Sequence, residues 1–307
     1  MNGLELSEKF YKEHGEKLLK EHFSHLLPLI STGLMGEGSE CLGFDDAIST
    51  DHDFEAGFII FLPSEEKLDR KTAFSLERAY SKLPREFLGV KRSVLSPVGG
   101  NRHGVMRLSD FLMRHTGTED GVLTASEWFN IPEQSLLEVT NGKVFFDGSG
   151  ELTSVRKRLS YLPCDVRLKK LAGHLLLMGQ SGQYNYKRCT LRHDKPASAL
   201  SAFEFTKSAI HAVFLLNSVY LPYYKWQFKA LSSLPLLSEL YTPLCELVGN
   251  PEKGATLIDD ISEKIIIEVK KQGLSDINSP HLETHAYAVN DRIDDGEIRN
   301  LNVLYGV

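Results

Sequence analysis

The sequence has few of the residues that mark disulfide-rich, zinc-binding or membrane-spanning proteins. Its four cysteines are spread over 307 residues, and no two of them form a Cys-x-x-Cys pair. This spacing signals neither a disulfide framework nor a zinc site, and we expect reduced thiols in a cytoplasmic protein. No apolar run approaches 18 residues, so we expect no membrane-spanning helix. The motifs of serine hydrolases, zinc proteases and dinucleotide-binding proteins do not occur, and those classes have little support.

Charge is distributed unevenly along a chain of ordinary overall composition. The apolar fraction is 42%, the charged fraction is 25% and the net charge is −6. These values are typical of a soluble globular protein and not of a dedicated nucleic-acid or membrane-surface binder. Residues 156–195, however, hold ten lysines and arginines against Asp165 and Asp194, which gives this segment a charge of +8 and the remainder −14. The length is sufficient for two domains.

The first half of the chain alternates between strand-like and helix-like segments. Helical spacing of apolar residues predicts helices at 4–27, 65–83, 109–115 and 128–139. Short β-branched and aromatic runs predict strands at 29–35, 57–62, 90–95, 104–108 and 143–147. These elements together predict a mixed α/β unit of modest size.

Strand signals fade after residue 152, and helical periodicity dominates the remaining sequence. It extends through 164–181, 197–219, 224–248 and 252–272, with prolines between these segments. We therefore predict an α+β fold in which a domain spanning 1–155 is followed by an all-helical domain spanning 156–307.

One stretch near the N-terminus combines residue types that bind phosphate and metal. It begins with Gly38-Ser39 and continues, after eleven residues, with Asp51-His52-Asp53. Glycines let a backbone approach a ligand closely and leave N–H groups free to face phosphate oxygens. On a strand, Asp51 and Asp53 would share one face, because side chains alternate with a period of two. Two carboxylates beside a phosphate-binding loop suit a divalent cation that carries a nucleoside triphosphate.

These motifs also carry a resemblance to known protein families. Gly38-Ser39 with Asp51-His52-Asp53 resembles the glycine-serine and Asp-x-Asp signature of the nucleotidyltransferase superfamily, which has the fold of polymerase beta. The longer segments at 36–41 and 49–54 are similar to the bacterial domain-of-unknown-function family 4037 (DUF4037). Further matches lie at 136–139 (LLEV), 142–147 (GKVFFD) and 221–226 (LPYYKW). The resemblance covers most of the chain and implies a nucleotidyltransferase-like mixed sheet with helices, followed by a helical domain.

The resemblance implies a role for each residue of the motif. Gly38 and Ser39 would hold the β- and γ-phosphates of a nucleoside triphosphate, and the catalytic residues Asp51 and Asp53 would coordinate Mg²⁺ or Mn²⁺. The implied reaction is in-line transfer of a nucleoside monophosphate, AMP from ATP, to an acceptor hydroxyl. The helical domain would supply the acceptor pocket, and we expect a small-molecule acceptor in preference to RNA or protein.

The superfamily usually has a third carboxylate on a later strand, and this sequence departs from that pattern. The predicted strands at 90–95 and 104–108 contain no acidic residue. Asp110 lies just past the second of them and is our candidate for a third catalytic acid, whereas Glu138 and Asp147 lie on other elements. The alternative is a nucleotide-binding or regulatory module that kept the fold and has little or no turnover.

Basic residues beside aromatic residues offer further phosphate contacts. Arg188 and Arg192 stand at i and i+4 near Tyr184, and Lys225 precedes Trp226. Cationic groups beside aromatic rings suit a triphosphate or an RNA backbone, so we predict Arg188, Arg192 and Lys225 as nucleotide-binding residues. A solvated surface is the competing interpretation. A third functional possibility is an RNA-directed nucleotidyltransferase that uses the +8 segment.

Overall fold

The structure, a computed structural model, describes residues 1–46, 48, 55–92 and 102–307. It is 62% helical, with a small mixed sheet and a helical C-terminal region, which confirms the α+β prediction at this level. The chain forms two compact units. Unit 1 comprises residues 1–124 and 135–160, and unit 2 comprises residues 125–134 and 161–307. The division into separate domains at 1–155 and 156–307 stays a prediction.

The strands of the described chain all belong to unit 1. In chain order they are β1 Ser31–Leu34, β2 Ile59–Leu62, β3 Glu86–Phe87, β4 Val90–Lys91, β5 Gly104–Arg107 and β6 Lys143–Asp147. Four of them form one sheet in the order β5-β2-β1-β6, and β3 and β4 form a two-stranded ribbon. β1 is antiparallel to both of its neighbours, whereas β2 and β5 are parallel. The strand predictions at 29–35, 57–62, 104–108 and 143–147 are confirmed.

Helices account for most of the remaining chain. The α-helices are α1 Gly3–Phe10, α2 Glu16–His22, α3 Ser39–Leu42, α4 Arg70–Ser81, α5 Leu108–Thr116, α6 Ala125–Asn130, α7 Glu133–Thr140, α8 Glu151–Arg158, α9 Cys164–Met178, α10 Lys187–Leu191, α11 Lys195–Asn217, α12 Gln227–Leu231, α13 Tyr241–Gly249, α14 Gly254–Lys271, α15 Leu282–Asn290 and α16 Gly296–Asn300. π-Helical segments at Tyr11–Gly15 and Gly179–Tyr186 continue α1 into α2 and α9 into α10. Short 3₁₀ turns lie at Ser24–Leu29, Tyr224–Trp226, Ser238–Leu240 and Pro251–Lys253.

Two predicted helices are each divided in the structure. The segment predicted as one helix at 128–139 is α6 and α7, because Pro132 between them has no N–H to donate within a helix. The segment at 224–248 consists of α12, α13 and two 3₁₀ turns, with Pro235 in the connection between them. Periodicity predicted helix in both segments but did not show where the helix axis changes.

The core of unit 1 is rich in aromatic side chains. Phe10, Phe58 and Tyr80 are fully or almost fully buried there. The Tyr80 hydroxyl donates a hydrogen bond of 2.8 Å to the Phe58 carbonyl and accepts one of 3.1 Å from the Phe58 N–H. Burial raises the pKa of Tyr80 to about 12. The Tyr80 hydroxyl therefore satisfies both backbone polar groups of Phe58, the residue that precedes β2.

Unit 2 is organised around α9 and α11, which pack side by side. α11 is long and apolar enough to cross a membrane by length and composition, but 61% of its most apolar window is buried within the protein. Such a helix is consistent with the core of a soluble protein. The π-helical segment after α9 packs closely on α11 at Gly182. A Cβ there would overlap the Phe205 ring, so the approach requires glycine.

Candidate functional site

The Gly-Ser loop connects β1 to the short helix α3 in unit 1. Gly38 has φ 124° and ψ 148°, a conformation that is accessible essentially only to glycine, and Gly36 has φ 108°. The Asn141 amide holds Gly36 through both backbone groups. Its oxygen accepts from the Gly36 N–H at 3.0 Å, and its nitrogen donates to the Gly36 carbonyl at 2.9 Å. The loop therefore has a defined shape that the end of α7 maintains.

Arg156 in turn holds the residues that position Asn141. Its guanidinium donates to the carbonyls of Val139, Thr140 and Asn141 at 2.8 to 3.0 Å. These carbonyls end α7, where a helix leaves its last acceptors unpaired. Burial lowers the pKa of Arg156. The segments at 136–139 and 142–147, matched in the sequence to one family, thus lie in the same unit as the Gly-Ser loop and support it.

Arg102 places a cationic side chain against Gly38. Its guanidinium forms an ion pair with the Glu40 carboxylate and donates to the Glu37 carbonyl. A Cβ at Gly38 would overlap both the guanidinium and the Glu40 carboxylate. Arg102 is not predictable from the sequence motif, because more than sixty residues separate it from the loop. The arrangement places one cation, neutralised by one carboxylate, against the predicted phosphate-binding turn.

Asp51 and Asp53, the predicted metal ligands, lie outside the described residues. Nearby in sequence, Glu55 Oε1 lies 2.7 Å from Nδ1 of the buried His103, within hydrogen-bonding distance. Within the described ranges, no group of three or more His, Cys, Asp or Glu side chains is arranged to hold a metal ion. The Mg²⁺ site therefore stays a prediction.

The structure gives the three candidate third acids different environments. Asp110 is exposed in the first turn of α5. Glu138 is paired with His115 at 3.2 Å, and both side chains are largely buried. Asp147 accepts hydrogen bonds from Ser31 at 2.6 Å and from the backbone at the start of α8. Burial opposes ionisation of Asp147, but these hydrogen bonds prevail and lower its pKa. Glu138 and Asp147 thus have structural partners, and Asp110 is open to solvent.

Much of the basic segment at 156–195 is used inside the protein. Five of its ten cationic side chains donate hydrogen bonds to protein acceptors: Arg156, Arg158, Arg167, Lys169 and Lys187. A sixth, Lys170, lies in an ion pair with Glu133 at 3.8 Å. These partners reduce the charge that the segment can offer to an RNA backbone.

The predicted cationic nucleotide contacts lie on the surface of unit 2. Arg188 lies over the exposed Tyr184 ring, with its Cζ 5.0 Å from the ring centroid, and Arg192 is exposed at the end of α10. Lys225 is also exposed, with its Nζ 5.1 Å from the centroid of the Trp226 ring. These are cation–π contacts at a solvated surface. Their role in nucleotide binding stays a prediction.

Unit 2 contains a cavity of about 650 Å³ that the sequence analysis missed. Its polar lining includes Glu133, Lys170, His174, Ser208 and His211. The sequence does carry a signal for it. A lysine precedes a histidine by four residues in both KLAGH at 170–174 and KSAIH at 207–211. On α9 and α11 this spacing puts each lysine and histidine on one face of its helix.

The comparison with known families covers roughly a third of the chain. A family model described as Domain of unknown function (DUF4037) matches residues 128–227, which supports that part of the resemblance. The matched segment contains α7, β6 and most of the cavity lining. No curated protein matches the chain.

Proposed function

We propose that the protein is a Mg²⁺-dependent nucleotidyltransferase with a nucleotidyltransferase-like fold in its sheet-containing part. The observation that carries this proposal is the geometry of Gly38. Its glycine-only backbone conformation follows the central strand β1, and the Arg102 guanidinium lies against it. A turn of this kind presents backbone N–H groups to phosphate oxygens, and the cation beside it can exchange its carboxylate partner for a phosphate.

In this proposal each part of the turn has a distinct task. The backbone at Gly38 and Ser39 binds the β- and γ-phosphates, while Arg102 exchanges its Glu40 partner for phosphate oxygens when the nucleotide arrives. Carboxylate oxygens are the ligands that Mg²⁺ prefers, so Asp51 and Asp53 fit this metal chemically. When bound, Mg²⁺ neutralises charge on the triphosphate.

The reaction that follows is a displacement at the α-phosphorus. The oxygen of an acceptor hydroxyl forms a bond to that phosphorus, the bond to the bridging oxygen breaks, and pyrophosphate leaves. The hydroxyl proton is released to solvent. The chain contributes position and electrostatic stabilisation, which together supply most of the rate in phosphoryl transfer. We propose transfer of AMP from ATP to a small-molecule hydroxyl in the cytoplasm. The internal partners of the basic segment favour a small acceptor over RNA.

The second candidate is a nucleotide-binding module with little or no turnover. The observation that favours it is the commitment of Glu138 and Asp147 to structural partners, which leaves the exposed Asp110 as the proposed third acid. The two candidates differ in one measurable step, the release of pyrophosphate.

The test measures binding of ATP, GTP, CTP and UTP in the presence of Mg²⁺ or Mn²⁺, and then pyrophosphate release with a panel of hydroxyl acceptors. We expect ATP to bind and the double variant Asp51→Asn with Asp53→Asn to lose that binding. Binding without pyrophosphate release from any acceptor would favour the module. Absence of binding by all four nucleotides would overturn both candidates.

A further inference from the structure

The cavity in unit 2 brings together charged and neutral hydrogen-bonding groups from two packed helices. Lys170 and His174 come from α9, and Ser208 and His211 come from α11. Lys170, His174 and Ser208 are each more than nine-tenths buried. Apolar side chains from Leu177 and Leu221 complete the walls. A cavity of this size and mixed lining is typical of a small-molecule site.

Each acidic group of the cavity lies beside a lysine, and the Lys170 ammonium has N–H donors beyond those that its acidic neighbour uses. Glu133 accepts from the Leu221 N–H at 3.2 Å and lies 3.8 Å from the Lys170 ammonium. At the rim, Glu204 is paired with Lys207 at 3.3 Å. An ammonium carries three N–H donors, and the distance to Glu133 is longer than a hydrogen bond. Lys170 can therefore bind another acceptor.

The two histidines form a stacked pair beside Lys170. The ring centroids of His174 and His211 are 4.3 Å apart, and their planes are inclined by 21°. The His174 Nδ1 is buried without a hydrogen-bond partner in the part of the chain that the structure describes. Burial and the nearby charges of Lys170 and Lys207 keep the pKa of both imidazoles below the ordinary value. The pair is neutral near pH 7, and each ring then carries one N–H donor.

We propose that this cavity binds the anionic group, carboxylate or phosphate, of a small ring-bearing molecule. The Lys170 ammonium neutralises the anion, and N–H donors of the histidine pair and the Ser208 hydroxyl complete its coordination. A buried ammonium whose N–H donors are not fully used is costly, and an anion that accepts from them reduces that cost.

The ring of the ligand has a surface to stack on. Tyr223 and Tyr224 line the mouth of the cavity with ring centroids 4.4 Å apart, and their exposed fractions are 42% and 70%. Exposed aromatic faces stack on planar or sugar rings. The cavity thus offers an anion site at its base and a platform at its entrance.

Binding of the anion does not depend on the proposed transfer reaction. The further idea that the bound molecule is also the hydroxyl compound that accepts AMP does rest on the proposed function. The test therefore uses no nucleotide, and its outcome is separate from that of the ATP-binding experiment.

The experiment follows ¹⁵N-labelled histidine side chains by NMR in the full chain near pH 7. The probes are phosphate, acetate, phenyl phosphate and benzoate, with benzamide as the uncharged counterpart of benzoate. We expect saturable shifts of His174 and His211, assigned through His174→Gln and His211→Gln, and affinity for benzoate at least about tenfold above that for benzamide. The relative affinities of benzoate and phenyl phosphate distinguish a carboxylate from a phosphate ligand.

A bound anion should also raise the pKa of His211. It adds negative charge beside Lys170 and Lys207, whose existing neighbours are Glu133 and Glu204.

A matched pair of lysine variants supplies the control. Lys170→Met should weaken anion binding by about ten- to hundredfold, whereas Lys187→Met, at an exposed pair with Asp259, should leave it unchanged. If Lys170→Met does not fold, the comparison of benzoate with benzamide on the wild-type chain still decides. Equal binding of these two probes, unmoved histidine resonances, or full affinity in a folded Lys170→Met variant would each overturn the proposal.

Discussion

Lys169 and Lys170 are consecutive residues of α9, yet their ammonium groups have opposite environments. Lys169 is fully buried and donates to the Asn290 amide at 2.8 Å and to the carbonyls of Arg299 and Leu301 at 3.1 and 2.7 Å. Lys170 has its nearest acid, Glu133, at 3.8 Å. Three acceptors fully use the donors of the first lysine, whereas the second retains donors that face a cavity. Neighbouring residues of one charge therefore serve structure and binding separately.

Replacement of Lys169 by methionine should destabilise the protein strongly. The variant keeps the length of the side chain but leaves three oxygen acceptors without their donor in a buried place. We expect a loss of roughly 2–4 kcal/mol in the free energy of unfolding, measured by urea denaturation. Amide exchange should accelerate first at residues 290–301. Lys187→Met is the control, and its exposed ion pair should contribute less than about 1 kcal/mol. Equal losses in the two variants would contradict this account of Lys169.

The sequence predicted the sheet better than the helix boundaries, for a physical reason. β1 and β2 are buried throughout, so the apolar run of β2 and the apolar residues on either side of β1 are visible in a single sequence. The divisions at Pro132 and Pro235 depend on where the chain can turn and pack, and periodicity alone does not contain that information. Within the π-helical segment Gly179–Tyr186, Gly182 closely approaches the Phe205 ring, and this tertiary contact is likewise not visible in a single sequence.

The candidate site was predicted only in its local part. Gly38 and Ser39 are adjacent in sequence, and the glycine alone predicts a backbone that can approach a ligand closely. Arg102 reaches Glu40 across 62 residues, and no sequence spacing marks that pair. The lysine–histidine pairs at 170–174 and 207–211 are visible in sequence, but only the packing of α9 on α11 shows that they face one cavity.

A matched pair of glycine variants tests the phosphate-binding turn. Gly38→Ala would overlap Arg102 and adopt a conformation reserved for glycine, so we expect ATP affinity to fall by more than about tenfold. Gly43 also has a left-handed φ, 69°, but open space surrounds it. Gly43→Ala should therefore cost about 1 kcal/mol of stability and leave ATP affinity unchanged. Wild-type affinity in folded Gly38→Ala would exclude this turn as the nucleotide site.

A second glycine pair separates backbone strain from close packing. Gly142 has φ 61°, donates to the Cys41 carbonyl at 2.9 Å, and would place a Cβ onto the Leu34 carbonyl. Gly150 has φ 73° and open space. We expect Gly142→Ala to lose more than about 3 kcal/mol of unfolding free energy and Gly150→Ala about 1 kcal/mol. Urea denaturation measures both. Similar losses would mean that the contact with Leu34 relaxes easily and only strain matters.

The stacked histidines should make the protein less stable as the pH falls. Burial, followed by the charges of Lys170 and Lys207, lowers the pKa of His211 from 6.5 to about 4, and that of His174 falls well below 6.5. Below pH 6.5 the unfolded chain binds protons that the folded chain does not. The stability contribution is therefore complete above pH 6.5 and is lost as the pH falls toward about 4, by up to about 1.4 kcal/mol per pH unit for each histidine.

The measurement is urea denaturation at several values between pH 4.5 and pH 7.5, interpreted as the difference between the wild type and each variant. That difference cancels the titration of other groups. His211→Gln should remove part of the slope, whereas His22→Gln, at an exposed position, should leave it unchanged. A saturating anionic ligand in the cavity should also reduce the slope, because it raises the pKa of the bound-state imidazoles. If His211→Gln retained the full wild-type slope, the histidine pair would not be the source of the pH dependence.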